Sequence, residues 1–524
     1  MNTKGTVGNI SDRQRTVRTT RSANHLAAGC LLLLLAHATA WAQNAPRPKY
    51  SADVPSDITT PDSAETRIGP LKFFDGVPDE ATVQKVYDQL DFSRGIEAFL
   101  SGMPAASVYA FCRGLEQAGV KRNQSIGVTE DLVDARSLLL TPNSTTVYVT
   151  MCLDLRAGPM VVQVPPQVLG FINDAYFRYV ADVGLVGADE GKGGRYLFVP
   201  PGHTGSVPAN GYFVQKPPTN GILIIYRAFV KDGDTSAAAR SVKAAARIYP
   251  WSAAAKPPAT TFVNLSGVKF NTIHANTFRF YEELNEVIQA EPGDAFDPEL
   301  VGLFASIGIK KGKPFAPDAR MKAILTEAVA VGNAAARSIV FASRDTRAKV
   351  YPDRQWFTAF IGGSYAFEDR GERMLDARAL FHYYATGITP AMAAAKPGTG
   401  SAYAVAVRDA QGRYLDGGKT YKITLPAPIP VGQFWSFTVY DNQTRSMLET
   451  DQKRAGIDSY QPIQKNADGS VTMWFGPKPP AGQESNWVQT MPGKGWNVIL
   501  RLYAPLQPWF DKTWKPGDFE EVSG

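Results

Sequence analysis

Thr146-Val147-Tyr148-Val149-Thr150-Met151-Cys152 alternates strictly along its length, and β-branched and aromatic side chains are enriched in it. Successive side chains of a strand point to opposite faces, so the stretch reads as a β-strand in a sheet-forming region. Outward from it, strands are expected at 160–164, 176–180, 196–199, 212–214 and 221–230. Turn signals separate them: Pro165-Pro166, Pro200-Pro201-Gly202 and Pro217-Pro218. Short strands at this spacing argue for an antiparallel sandwich or barrel.

The flanks read differently. Residues 81–119 follow a helical pattern, with Ile96, Phe99 and Leu100 on one apolar face and Val108, Phe111 and Leu115 repeating it. Pro104, after Gly102, is expected to open a second helix there. An Ala-rich helix is expected over 236–248, and longer ones over 278–290 and 318–343, broken by Gly308 and residues 310–314. From Tyr403 strands return, at 420–425, 434–440, 471–475 and 497–503, with hairpin candidates at Asp409-Ala-Gln-Gly412 and Asp468-Gly469. The fold class is therefore α+β and β-rich. Two antiparallel sandwich or jelly-roll-like domains, 81–265 and 376–520, are joined by a helical connector, 266–375, and preceded by an extended segment, 43–80.

Composition narrows the function classes. The chain has 524 residues, 44% hydrophobic and 20% charged, which excludes a disordered, collagenous or coiled-coil protein. The 46 glycines and 37 prolines suit many short strands and turns. The N-terminus carries Lys4, Arg13, Arg15, Arg18 and Arg21, then a leucine run from Leu31 to Leu35, then Ala40-Trp41-Ala42. A basic start, a short apolar stretch and an Ala-x-Ala exit are the parts of a secretory signal peptide over 1–42. Its loss removes five basic groups and one acid, taking the formal charge from +6 to +2. The basicity belongs to the leader, so no nucleic-acid partner is expected. No later stretch has 18 apolar residues in a row, so no stable membrane span is expected after signal removal. The implied location is periplasmic or secreted. Cys112 falls in a helical pattern and Cys152 in a strand pattern. Two buried thiols is the simpler reading, because free Cys behaves as a small apolar residue; an exported compartment would permit a disulfide.

Signatures of common chemistries are weak. There is no Gly-x-Ser-x-Gly elbow, and Gly362-Gly363-Ser364-Tyr365-Ala366 resembles one only loosely. After the leader only His203, His274 and His382 remain, far apart and without His-Glu-x-x-His or Cys-x-x-Cys spacing, so neither a metal nor a cofactor is expected. Gly191-Lys192-Gly193-Gly194 looks suited to phosphate, but a strand follows it where a phosphate loop needs a helix N-terminus. The strongest polar constellation is Thr141-Pro142-Asn143-Ser144-Thr145-Thr146-Val147-Tyr148 at a strand entrance, with Arg178 and Asp182 nearby in pattern. Asn and Thr can fix a ligand by neutral hydrogen bonds and Arg can hold a carboxylate; equally, such a cluster can be a turn capped by its own side chains.

At these residues the sequence resembles a known family. Asn143-Ser-Thr-Thr-Val-Tyr148, Leu153-Asp154-Leu155 and Arg195-Tyr-Leu-Phe-Val-Pro-Pro-Gly202 are similar to the domain of unknown function 1254. Leu415-Asp416-Gly417, Pro430-Val-Gly-Gln-Phe-Trp-Ser436, Asp468-Gly469-Ser470, Asn486-Trp487 and Arg501-Leu-Tyr-Ala-Pro505 resemble its partner, the domain of unknown function 1214. Asn143-Ser144-Thr145-Thr146 departs from the Asn-Asn-Asp-Thr common in the first domain. Lys453-Arg454-Ala455-Gly456 stands where an Asn-Arg-Tyr element is common in the second. The resemblance implies two β-rich, sandwich-like domains joined by helices in exported or envelope-associated proteins, and no settled activity.

Three functions fit. The first is an exported protein that binds a small or medium organic compound in a cleft between the two β domains and hydrolyses it. Its ligand-binding candidates are Asn143, Thr146, Tyr148 and Arg178 from the first domain and Arg454, Asn486, Trp487 and Arg501 from the second. Arg would stabilise developing negative charge, Tyr would act as acid or base, and His274 or His382 should lie beside the cleft. The second is a non-catalytic binder of a carbohydrate or aromatic ligand stacked on Trp487 and Trp496. The third is a structural envelope protein that forms homo-oligomers through an aromatic surface.

Overall fold

The computed structural model describes residues 52–522; the expected signal peptide lies outside them. The chain divides into two compact units, one ending at Val83 and one beginning at Gln84. In the first, the segment expected to be extended forms a small antiparallel sheet of Ser63–Thr66, Gly69–Phe74 and Val77–Pro78. Asp75 and Gly76 both have positive φ, 46° and 81°, which is what a two-residue hairpin loop between right-twisted strands requires.

Helix α1 (Glu80–Gln117) is one element, not two, and Pro104 lies inside it. Proline removes one donor to the preceding turn and its ring crowds that turn's carbonyl. One turn before the proline, the hydroxyl of Tyr176 donates to the carbonyl of Ser101. Burial of Phe99, Met103 and Ala106 holds the helix on both sides of the proline.

The first sandwich packs two sheets. The larger contains β1 (Ser125–Val128), β2 (Thr146–Asp154), β3 (Val168–Asp174), β4 (Tyr179–Gly184), β5 (Gly221–Phe229) and β6 (Thr261–Asn264), in the order β6-β1-β2-β5-β3-β4. Only the β6–β1 pair is parallel. Val147, Val149 and Met151 of β2 and Ile224 and Tyr226 of β5 face the smaller sheet (Met160–Val164, Gly194–Phe198, Phe213–Gln215, Arg247–Pro250) and form one core with it. The intervening residues, among them Tyr148, Thr150, Ile225 and Arg227, point to the opposite face. At one end of that face α1 covers Leu223 and Ile225 with Phe111 and Leu115, and Cys112 is disulfide-bonded to Cys152 of β2. The reading of two free thiols is thereby corrected; the helix and strand patterns were right, but a sequence does not say which helix lies on which strand.

Two local expectations also change. The strand expected at 176–180 begins at Tyr179, because Phe177 takes φ 55° in a turn that the Asp174 carboxylate closes by accepting from the backbone N–H groups of Tyr176 and Arg178. The Ala-rich helix stops at Ala245, where the Arg247 guanidinium donates to the carbonyls of Lys243, Ala244 and Ala246, and residues 247–250 become a strand.

Helices α2 (Arg279–Ala290), α3 (Pro298–Ser306), α4 (Ala319–Phe341) and α5 (Leu375–Tyr384) follow. They share a core with α1 that includes Phe99, Phe280, Leu284, Leu325, Val329 and Phe381. Helix α4 is long and apolar enough to cross a membrane by length and composition alone. It buries Leu325, Val329, Ala336 and Val340 in that core and sets Arg320 against Asp88 and Asp91 of α1. The second sandwich packs β7 (Ser401–Ala406), β8 (Trp435–Asp441), β9 (Gly456–Asp458) and β10 (Trp496–Tyr503), in the order β7-β10-β8-β9, on a second four-stranded sheet. Trp435, Phe437, Trp496, Leu500 and Leu502 fill the space between them. The fold is β-rich α+β, as expected.

Candidate functional site

The register places polar side chains on the outer face of the six-stranded sheet of the first sandwich and of the β7-β10-β8-β9 sheet of the second. On the first, Tyr148 of β2 lies directly opposite Arg227 of β5, and the next same-face row is Thr150, Ile225, Phe171 and Asp182. On the second, Arg501 of β10 lies between Tyr403 of β7 and Ser436 of β8. These faces meet across a cavity of about 150 Å³. An apolar cavity of that size accepts a molecule as large as benzene. Phe111, Phe171, Ile225, Phe360 and Phe381 supply apolar wall; Asn143, Tyr148, Thr389, Tyr403, Arg227 and Arg501 supply polar wall.

Asn143 organises one rim. Its carboxamide oxygen accepts from the backbone N–H groups of Thr145 and Thr146, at 3.0 and 3.1 Å, and from the Thr146 hydroxyl at 2.9 Å. Its Nδ2 donates to the Tyr148 hydroxyl at 2.8 Å. The turn is thus capped by its own side chains, and the same bonds aim the Tyr148 ring at the cavity. Preceding it, Thr141 is held at φ 43°, a region that a β-branched residue rarely adopts. Bonds at both ends fix it: its N–H donates to the carbonyl of Arg445, and its carbonyl accepts from Arg501 Nη2 at 2.9 Å.

Arg501 is buried and well bonded, donating also to the hydroxyls of Thr438 at 3.1 Å and Tyr440 at 2.7 Å. Arg227 contrasts with it. Its guanidinium is half-buried in the wall and has no hydrogen-bond or ion-pair partner among the described residues. Burial works against its charge, but the phenols of Tyr403, Tyr148 and Tyr503 outweigh it and hold the guanidinium above its ordinary value. Asp182 is the cavity's carboxylate among the described residues, and it is engaged elsewhere, accepting from the hydroxyls of Thr389 and Tyr179. Burial pushes its carboxyl above the ordinary range, against the pull of those two hydroxyls. A loop after α5 carries Thr389 over the cavity. Asn173 ties it to β3 by donating to the Ile388 carbonyl at 2.9 Å and accepting from the Ile388 N–H at 3.0 Å. At Gly387, φ 76° and a Phe171 ring 2.0 Å from where a Cβ would stand leave room for glycine alone.

Of the expected site residues, Asn143, Tyr148 and Arg501 line the cavity, and Thr146 braces Asn143 from behind. The others lie elsewhere. Arg178 pairs with buried Asp174 and donates to the Ala295 carbonyl. Arg454 pairs with Asp131. Asn486 is buried among backbone groups, bonding Gln464 both ways and the Thr472 carbonyl. The Trp487 indole N–H donates to the Gly476 carbonyl, and Trp496 is fully buried against Phe475. His274 packs among Phe99, Phe280 and Tyr383, and His382 stacks on Phe177; neither lines the cavity. Among the described residues no three His, Cys, Asp or Glu side chains converge as metal ligands. Sequence reasoning passed over Arg227, Tyr403 and Thr389. For Arg227 a signal existed: it is the one charged residue in the apolar strand Gly221-Ile-Leu-Ile-Ile-Tyr-Arg-Ala-Phe229.

Two sandwiches, a helical connector and a cavity between the facing sheets define the class: a two-domain, β-rich α+β protein. Residues 123–250 match the protein of unknown function DUF1254 and residues 400–507 match the protein of unknown function DUF1214, in that order along the chain. The crystal structure of the VPA0106 protein from Vibrio parahaemolyticus is similar at 18% identity and a TM-score of 0.51, over 83% of this chain and 100% of that one. That likeness concerns the fold. An uncharacterised protein from Burkholderia cenocepacia aligns at 12% identity and a TM-score of 0.38, over 84% of this chain and 97% of that one. No curated protein matches the chain.

Proposed function

We propose that the protein is exported and binds a small organic compound with an apolar body in the cavity between its two sandwiches. The observation that carries this reading is the cavity itself: an apolar space of about 150 Å³ into which a few fixed polar groups from both domains converge. Ligand sites are commonly built this way, with hydrophobic walls and a small number of placed polar groups. Export is supported by the leader and by the disulfide, since such bonds persist in oxidising compartments. The test is thermal shift of the purified chain against small aromatic and aliphatic compounds, repeated with Ile225→Trp, which fills the cavity from its wall. A ligand at a hundredfold over its dissociation constant adds about 2.7 kcal/mol. The parent is expected to shift and the filled variant to lose the shift while remaining folded. An equal shift in both overturns the cavity as the site.

Turnover is a second reading, and Asp182 favours it. A carboxyl in the cavity wall, raised by burial and bonded to the Thr389 hydroxyl, is a candidate to take up and return a proton. If so, a bound ester is consumed over hours and Asp182→Asn abolishes consumption while the ester still binds. A compound recovered unchanged from the parent removes this reading and leaves the binder.

A further inference from the structure

Resting on the binding reading, we infer that the ligand is an organic monocarboxylate, its head held by Arg227 and Arg501 and its apolar body lying against Phe171, Ile225 and Phe381. A cation removed from water is costly unless it is paired and hydrogen-bonded. Arg501 meets this condition in part, through the Thr438 and Tyr440 hydroxyls and the Thr141 carbonyl, though with no ion-pair partner among the described residues. Arg227 also lines the cavity, and the five N–H donors of its fork have no acceptor among the described residues.

The surroundings match that fork with further donors. Tyr148 and Tyr403, the cross-strand neighbours of Arg227 and Arg501, bring phenols from opposite sheets to the same space. Asn143 orients the Tyr148 hydroxyl, and the Ser401 hydroxyl in the same wall has no partner among the described residues. Two guanidiniums and several hydroxyls suit a planar anion with two oxygens, since Arg forks bind carboxylates bidentately. A volume near that of benzene limits the rest to a compact aromatic or short branched group. The cavity's own carboxylate, Asp182, stands two strands away from Arg227 on the same sheet, bonded to Thr389 and Tyr179.

Calorimetric titration of the full chain with benzoate and with its uncharged analogue benzamide tests this. Benzoate is expected to bind at least about tenfold tighter. Arg227→Gln is expected to erase that preference. Arg227→Lys should keep part of the preference. If benzamide binds as tightly as benzoate, the carboxylate inference falls and the cavity reading stands. If neither compound binds, both fall. If inorganic phosphate binds as tightly as benzoate, the apolar half of the inference falls. The comparison on the parent decides the matter even if Arg227→Gln fails to fold.

Discussion

His274 and His382 show how burial decides what a polar side chain can do. Both sit among aromatic rings, and the buried His274 Nε2 and His382 Nδ1 have no partner among the described residues. Burial pushes His274 down to about 4 and His382 down to about 3. The folded chain therefore holds both neutral at pH values where the unfolded chain protonates them. Their contribution to stability is complete above about pH 6.5 and is lost as pH falls toward the folded values, at up to about 1.4 kcal/mol per pH unit for each histidine. Buried carboxylates with raised values, Asp174 and Glu291 among them, act in the opposite sense, so the difference between parent and variant is what isolates the histidine. His382→Phe should lose less melting temperature between pH 6.5 and 4 than the parent; parallel pH profiles would refute a neutral buried His382. At this scale the site was half legible. The turn from Asn143 to Tyr148 could be read because its partners are local in sequence. Arg178, Arg454 and Asn486 could not be excluded, because a polar side chain saturated by distant backbone and one facing a cavity are spelled alike.

Helix α1 and strand β2 were each readable from their own periods, and their junction was not. The Cys112–Cys152 bond spans 40 residues of sequence, and in the chain-entropy account a closed loop of that size stabilises by about 4 kcal/mol. The Cys112→Ala, Cys152→Ala double variant is expected to lose stability of that order in denaturant titrations, with its main loss in the packing of α1 on Leu223 and Phe171. A loss below about 1 kcal/mol would mean that apolar burial alone holds this helix. Pro104 misled for a related reason. Its local signal says helix start, and what overrides it is burial against α2, α4 and the sheet. Strand β3 escaped the sequence pattern because Gly170 interrupts its alternation. That glycine is needed where a Cβ would strike Tyr226 of the neighbouring strand at 2.2 Å.

Across the whole molecule, two sandwiches and a helical connector were legible because strand and helix periods differ over long windows. The small N-terminal sheet was missed although Asp75-Gly76 announces its hairpin. The cavity between the sandwiches was legible only as an expectation, since neither domain's sequence records which face the other covers. Expressed with its leader in a bacterium, the chain should be recovered outside the cytoplasm with Gln43 as its N-terminal residue and with no free thiol at Cys112 or Cys152. Recovery in the cytoplasm with Met1 intact would overturn export.

The alternation that carries Arg227 and Arg501 to the cavity has a consequence for folding fidelity. A one-residue slip in the pairing of β5 or β10 would exchange the two faces of the strand. Each guanidinium would then enter the oil-like interior of its own sandwich, beside Ile224 or Leu500, at a cost of several kcal/mol. Strands this rich in apolar residues on both faces have few other ways to distinguish one offset from the next. The same two charges that would seize a ligand thus act, before any ligand arrives, as proofreaders of strand alignment.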